Sequence, residues 1–424
     1  MMSGNANRIV ILHLTSVFGG GGAGQYTMSI HRNMISEGYL SYVCVNGEEL
    51  VCPSGAIRQM PRGKTTWRIR LKRSLLKIII RCTGGVDTKY APYNIFERLN
   101  LHNPNDLLNM MPETPTHIMV HWVSGFVNAK YVHLLQQKTG AKVYYWMIDE
   151  AILSGACHYP WDCEQYQTGC KNCPMTSSRL VKKAIRKNFI FKQKYLVTDK
   201  RVVLPTEFDK IRLEKSLLWK GCEWHKMIEI IDEDIFHPVQ DEQKLRAKFN
   251  IPESKRVVFF GCSSLNEPRK GMQVLTEALN MIQRDDCVFI VAGKSDLPDL
   301  KHDVIKLGYV DIPTLSEAYQ VADVFVCSSL EDSGPMMVNQ AIMCGTPVVS
   351  FEIGVSLDIV HTGKTGYRAK FNDAKDLANG INYILDMPQK EYDSMCMSCR
   401  KLALNRYSKP LQSKFVKDLL DIQQ

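Results

Sequence analysis

The sequence predicts an α/β fold: two doubly wound parallel sheets, one after the other along the chain. Three observations carry the prediction. The 424 residues are too many for one ordinary core and suit two domains of about 200 residues each. Near the N-terminus an apolar, β-rich run passes through a glycine turn into a helical pattern and then a second apolar run, the order that builds a parallel sheet. From Arg256 the same alternation begins again.

Residues 8–14 (RIVILHL) read as the first strand, ending in Gly19-Gly20-Gly21-Gly22-Ala23-Gly24. Without side chains, Gly21 and Gly22 let backbone approach a ligand, and the helix start that follows favours anions. By itself this signal is weak, because many α/β turns are glycine-rich without a ligand. The helical pattern covers 26–37 and stops at Gly38; SYVCVN is the second strand. Residues 50–110 are polar, basic and poorly periodic, an insertion with helices. Residues 116–122 (THIMVHW) and 141–148 (AKVYYWMI) are strands, 151–180 is loop-like, 195–205 (YLVTDKRVVLP) gives two short strands, and 232–238 is a connector. The second series runs strand 256–261, helix 270–284, strand 287–293, residues 304–309 leading to a short helix at 313–321, strand 322–327, helix 335–344 and strand 346–351. Helices near 374–386 and 409–422 close the chain. The domains expected are 1–205, holding the basic insertion and a cysteine-rich loop at 151–180, and 206–408, with 409–424 a helix packing back toward the first. Two such sheets imply a cleft between them, with ligands at the carboxyl ends of the strands.

Apolar residues make up 45% and charged residues 23%, an ordinary globular balance. No window approaches the roughly 20 uninterrupted apolar residues of a membrane span. The N-terminal apolar run reads as a strand rather than a signal peptide, since no small-residue cleavage site follows it. The expectation is a cytoplasmic protein. The net charge of +9 is uneven: residues 62–81 hold eight Lys or Arg and no acid, and 179–194 add seven more. Both runs mix basic and apolar side chains, as a segment on an anionic membrane would; the plainer alternatives are a solvated helix face or a patch for anionic substrate. No nucleic-acid-binding module accompanies the charge, so nucleic acid is not expected as a partner.

The most informative stretch is 328–351, SSLEDSGPMMVNQAIMCGTPVVSF. Pro335 suits a first helical turn, and Asp332 or Ser333 can cap that helix. The free amides near Gly334, Met336 and Met337, with the helix dipole, can hold a phosphate. Glu331 or Asp332 beside them can accept hydrogen bonds from sugar hydroxyls, and Gln340 two turns on is positioned for a ribose. A second piece, Glu267-Pro268-Arg269-Lys270-Gly271, follows the strand at 256–261. A Lys there can neutralise a leaving diphosphate. Either piece alone reads equally well as a surface loop; both at matching points of one α/β domain point to phosphate binding.

On these residues the chain resembles a retaining glycosyltransferase of the GT-B fold, two Rossmann-like domains facing a cleft, in family 4 (group 1) of the glycosyl transferases, and within it the enzymes that build bacterial surface polysaccharides such as O-antigen, capsule or exopolysaccharide. That family carries a Glu-x7-Glu pair ahead of a Gly-Thr-Pro-Val-Val strand. Counting back from Gly345-Thr346-Pro347 puts Asp332 at the first position, with Glu331 beside it, and Gln340 at the second. An amide there can hydrogen-bond ribose, but without charge assistance. The family's phosphate-binding Lys falls on Lys270, with Arg269 in the place of a partner Arg that usually lies about five residues earlier. In the first half, Asp149, Gly155, Cys157, His158, Tyr159, Cys163, Cys170, Cys173 and Pro174 match a family stretch, and His121-Trp122 matches another. Where the family has a His near the transferred sugar, this chain has Ile148.

The resemblance implies a nucleotide-diphosphate sugar as donor, a glycan or lipid-linked acceptor, front-face attack with retention, and no required cofactor or metal. Lys270, Arg269 and the amides of 334–337 would stabilise the leaving diphosphate. Asp332 or Glu331 would orient the sugar, and Asp149 would contact it from the other wall. A lipid-linked acceptor suits a peripheral place on the inner face of the cell membrane. Two rivals remain. A nucleotide-sugar epimerase would need an acid–base pair that the sequence does not reveal. A non-catalytic relative that binds sugar or scaffolds an assembly is favoured by Gln340 and Ile148. Cys157, Cys163, Cys170 and Cys173 are spaced either for a structural zinc or as four reduced or disulfide-paired structural cysteines.

Overall fold

Strands that are apolar on both faces, such as 256–261 and 287–293, fit a parallel sheet covered by helices on both sides. A computed structural model of the chain describes residues 8–18, 21–46, 57–60, 67–100, 102–264, 266–294, 300–334 and 336–420. They fall into two units. The first holds the described residues up to 205, Asp209–Met227 and 416–420; the second holds Thr206–Phe208 and Ile228–Phe415.

The first unit contains β1 (Val10–Thr15), α1 (Gly21–Ser36), β2 (Leu40–Asn46), β3 (Ile57–Met60), α2 (Trp67–Cys82), α3 (Pro104–Leu108), β4 (His117–Val120), α4 (Ala129–Thr139), β5 (Lys142–Trp146), α5 (Arg179–Tyr195), β6 (Arg201–Leu204), most of α6 (Glu207–Lys215) and β7 (Glu223–Lys226). Its strands lie in the order β3-β2-β1-β4-β5-β6-β7, all parallel. α1 begins at Gly21 rather than at the expected residue 26; Gly19 and Gly20 lie outside the described residues. The basic insertion supplies an edge strand, β3, as well as the helix α2. Of the two strands expected in 195–205 only β6 forms, because Tyr195 is the last residue of α5. The buried face of α5, Val181, Ala184, Ile185, Asn188, Phe189 and Lys192, follows the helical period through to its last turn. Residues 209–227 group with the first unit rather than the second because β7 pairs with β6, Arg201 facing Glu223.

The second unit contains α7 (Glu242–Lys248), β8 (Arg256–Ser264), α8 (Met272–Met281), β9 (Cys287–Lys294), β10 (Val304–Gly308), α9 (Ile312–Val321), β11 (Val324–Cys327), α10 (Met336–Met343), β12 (Val348–Phe351), α11 (Ser356–Ile359), β13 (Gly366–Ala369), α12 (Ala374–Leu385), α13 (Gln389–Tyr407) and most of α14 (Lys409–Leu419). Its order, β10-β9-β8-β11-β12-β13, is the doubly wound 3-2-1-4-5-6 arrangement, and all pairs are parallel. Phe259, Phe260, Phe289, Phe325 and Phe351 are fully buried in its core. The end of α14 belongs to the first unit, where the Tyr144 hydroxyl donates to the Leu419 carbonyl at 2.7 Å. No helix among the described residues is long and apolar enough to cross a membrane.

Candidate functional site

In a doubly wound sheet the loops after the first and fourth strands diverge, and ligands settle in the crevice they leave. In the second unit those loops follow β8 and β11. They carry both pieces singled out in the sequence. The first is a 3-10 turn, Pro268–Lys270, closed by Gly271 in the left-handed conformation (φ 66°). The second is the acidic loop after Cys327. Backbone bonds stitch them together: the amides of Leu330 and Glu331 donate to the Arg269 carbonyl at 2.7 and 3.3 Å, and the Ser328 hydroxyl donates to the Lys270 carbonyl at 2.8 Å. Gly271 makes this approach possible, because a Cβ there would stand 1.9 Å from the Ser328 carbonyl oxygen. Gly354 (φ 52°) does the same from the loop after β12, where a Cβ would meet the Asp332 carbonyl oxygen at 2.3 Å.

Asp332 is the hub. Its Oδ2 accepts from Arg269 Nη1 at 2.9 Å and also from Lys270 Nζ, while Arg269 Nη2 lies 2.7 Å from Glu267. The Asp332, Arg269 and Lys270 side chains are 12, 14 and 15% exposed. Burial pushes the Asp332 carboxyl up, but Lys270 and Arg269 together outweigh it and hold it below the ordinary carboxylate value. The result is two cations, held by Asp332 and, for Arg269, also by Glu267, at the carboxyl end of the sheet. An anion arriving there meets positive charge whose side-chain entropy is already spent.

The other predicted residues of this loop fall around the hub. Glu331 is buried. Gly334 and Met337 are half-buried, and Met336 and Met337 form the first turn of α10, where amides have no partner within the helix. Pro335 lies outside the described residues. Gln340 is buried, and its Oε1 accepts from the Tyr319 hydroxyl at 3.3 Å. The Ser333 hydroxyl, 1% exposed as a residue, has no hydrogen-bond partner among the described residues. Gly271 was noticed in the sequence only as the end of the second piece, and Gly354 not at all; their only signal was a glycine next to a candidate loop. A larger hollow in this unit, about 660 Å³ and lined by Arg256, Asp323, Thr346 and Arg400, lies at the amino ends of the strands, the wrong end for a doubly wound sheet's ligand.

In the first unit the corresponding strands are β1 and β4. His121 Nε2 is 2.8 Å from His13 Nδ1, His13 Nε2 is 3.0 Å from the Ser41 hydroxyl, and that hydroxyl is 2.8 Å from His31 Nδ1. Burial lowers all three imidazoles, His121 to about 3, His31 to about 4, and His13 well below 6.5 with help from its neighbours. The chain is therefore neutral, and its end atoms, His121 Nδ1 and His31 Nε2, are unpartnered among the described residues. His121 also lines a cavity of about 70 Å³ with Trp122, Ser124, Asp149, His158 and Trp219. Asp149 is buried and accepts from the Ala151 amide at 2.9 Å; its Oδ2 is 2.5 Å from His158 Nδ1, and His158 Nε2 is 2.7 Å from the Ser124 hydroxyl. The sequence had paired neither His13 nor His158 with these residues. Gly22 lies in the first turn of α1 with open space around it, and Gly21 begins that helix.

Cys157, Cys163, Cys170 and Cys173 line one small cavity, of about 10 Å³, and all four are free thiols. Yet among the described residues no group of three or more His, Cys, Asp or Glu is arranged to hold a metal ion. Burial raises all four thiols, Cys170 to about 12.

Two doubly wound parallel sheets, the second with paired cations at its switch point, define a class of two-unit α/β proteins, and the comparisons narrow it. Sucrose-phosphate synthase from Thermosynechococcus elongatus superimposes with a TM-score of 0.68 over 98% of this chain and 98% of its own, at 17% identity. HepE from Anabaena, solved in complex with UDP and glucose, gives 0.64 over 98% and 100%, at 14% identity. The chain has the GT-B fold of glycosyltransferases. Residues 254–387 match the family model of glycosyl transferases group 1, a stretch that contains Lys270, Asp332 and Gln340. An uncharacterized glycosyltransferase of Methanocaldococcus jannaschii is 25% identical over 39% of this chain and 45% of its own length. A phosphatidyl-myo-inositol mannosyltransferase of Mycobacterium leprae is 30% identical over 31% and 37%. The chain thus spans less than half the length of these relatives.

Proposed function

We propose that this protein is a glycosyltransferase that moves a sugar from a nucleotide-diphosphate sugar to a hydroxyl of a glycan or lipid-linked acceptor, with retention, in the synthesis of a bacterial surface polysaccharide. The observation that carries the reading is the Arg269–Asp332–Lys270 cluster, two fixed cations at the switch point of the second sheet. When the bond between the sugar's anomeric carbon and the diphosphate breaks, negative charge builds on the leaving oxygens while the sugar becomes oxocarbenium-like. Lys270, Arg269 and the first-turn amides of α10 stabilise that charge, which removal experiments elsewhere value at about 10²–10³ in rate per donor. The acceptor oxygen bonds to the same face of the anomeric carbon, and its proton passes to the departing diphosphate. Glu331 and Asp332 orient the sugar hydroxyls. The two cations do the work a metal ion would otherwise do, so the reading calls on no metal. Two relatives lend support: HepE was solved with UDP and glucose, and the Mycobacterium leprae relative is a mannosyltransferase.

A thermal-shift screen with UDP and GDP, followed by release of free nucleotide from a panel of nucleotide sugars, tests the proposal. A shift and release that both depend on Lys270 are expected. No shift and no release with any donor would turn the reading toward a non-catalytic sugar-binding or scaffolding relative, which the neutral, buried Gln340 favours.

A further inference from the structure

We propose that α2 is a docking helix that lies in the headgroup layer of an anionic membrane. Among its described residues 67–82 there are six Lys or Arg and no acid, and none is buried. At about 100° per residue, Trp67, Ile78, Leu71, Cys82 and Leu75 fall within one arc of roughly 80°. That arc faces outward: Trp67 is 70% exposed, Leu71 50%, Leu75 49% and Ile78 54%. The opposite face, Ile69, Leu76 and Ile80, is half-buried; Ile79 and Ile80 pack on the core of the first unit, and Arg73 ties the helix down through the Leu99 carbonyl at 3.0 Å and Asn100 Oδ1 at 2.6 Å.

A helix merely resting on a protein surface puts its charges outward. Here the outward arc is apolar, and the cations flank it: Arg81, Arg70 and Lys77 on one side, Arg68 and Lys72 on the other. A protein partner covering the apolar arc would have to bury those cations too, which is costly without matched acids. A bilayer interface takes the apolar side chains into the acyl boundary while the flanking cations meet lipid phosphates. α5, which packs on α2, adds exposed Lys183, Arg186, Lys187 and Lys194. The proposal is independent of the enzymatic reading, since vesicle binding needs no donor or acceptor.

The test is co-sedimentation of the full chain with vesicles of phosphatidylcholine alone or mixed with phosphatidylglycerol, at low and high salt. Binding only to the anionic vesicles, released by salt, is expected. Leu71→Glu/Leu75→Glu should weaken it at least tenfold, and Arg70→Gln/Lys77→Gln/Arg81→Gln about a hundredfold, near fivefold per cation. Both variants must keep the wild-type unfolding temperature, which their exposed positions predict. Wild-type protein left in the supernatant, or a folded Leu71→Glu/Leu75→Glu variant that binds as tightly as wild type, would overturn the proposal. So would an oligonucleotide that strips the protein from vesicles at equal phosphate concentration, which would assign the basic face to nucleic acid.

Discussion

Replacing Gly271 by alanine adds one methyl group and a contact that the loops cannot hold. The new Cβ would lie 1.9 Å from the Ser328 carbonyl oxygen, where ordinary contact begins at 3.4 Å, a shortfall of 1.5 Å. Leu330 Cγ at 3.2 Å blocks retreat in that direction. The backbone at φ 66° adds about 1–2 kcal/mol for any residue with a Cβ. The chain relieves both by pushing the Pro268–Lys270 turn away from the loop after β11, which breaks the Leu330 and Ser328 bonds to that turn. In a unit of this size a loss of about 2 kcal/mol lowers the unfolding temperature by roughly 4–8 °C. The effect on turnover is larger, because a displacement near 1 Å of a charge-stabilising group costs about 10²-fold. Scanning calorimetry and donor-dependent nucleotide release read the two quantities on one preparation. For stability alone, Gly22→Ala is the control: its Cβ meets nothing within 4 Å, so no loss is expected. A Gly271→Ala protein that melts within 1 °C of wild type and releases nucleotide at the wild-type rate would refute the claim that close loop contact builds the site.

Three further outcomes follow from the same structure. Lys270→Ala should lower nucleotide release by about 10²–10³-fold while leaving the fold intact, since Arg269 still pairs with Asp332; initial-rate measurements check it. His31 and His121 have folded-state values depressed from 6.5 to about 4 and about 3. The unfolded chain therefore takes up protons first, so their contribution is complete above about pH 6.5 and is lost as pH falls toward 4; thermal melts across that range should show the loss, and His31→Gln should flatten it. Phe325→Ala empties a site packed by Phe259 and Tyr319 at centroid distances of 5.5 and 5.3 Å and should cost about 3–5 kcal/mol, measured as a shift of the denaturant midpoint.

Much of the fold was legible because parallel strands buried on both faces are spelled as runs of Val, Ile, Phe and Cys. The runs at 256–261, 287–293 and 322–327 all mark strands of the second sheet. Helices whose exposed faces carry function or mixed chemistry were harder. α5 was read for its seven basic residues rather than for the helical spacing of Val181, Ala184, Ile185 and Phe189, and β3 lay inside a stretch that read as insertion. In the candidate site, Lys270 and the acidic loop were visible as residue types at plausible points of an α/β unit. That Asp332 binds Lys270 and Arg269 through its Oδ2 was not visible. Nor was the histidine chain, whose members come from β1, α1, β2 and the loop after β4.

The amino-acid sequence by itself determined the α/β class, the alternation of strand and helix in both halves, and the chemical types gathered around 267–271 and 328–340, because periodicity and side-chain chemistry are local properties of a chain. Tertiary structure alone decided which charges neutralise each other, which glycines are indispensable, and which face of α2 stays uncovered. Those depend on distances between residues far apart along the chain, 63 positions for Arg269 and Asp332, and such distances exist only once the sheets have set the register of their loops.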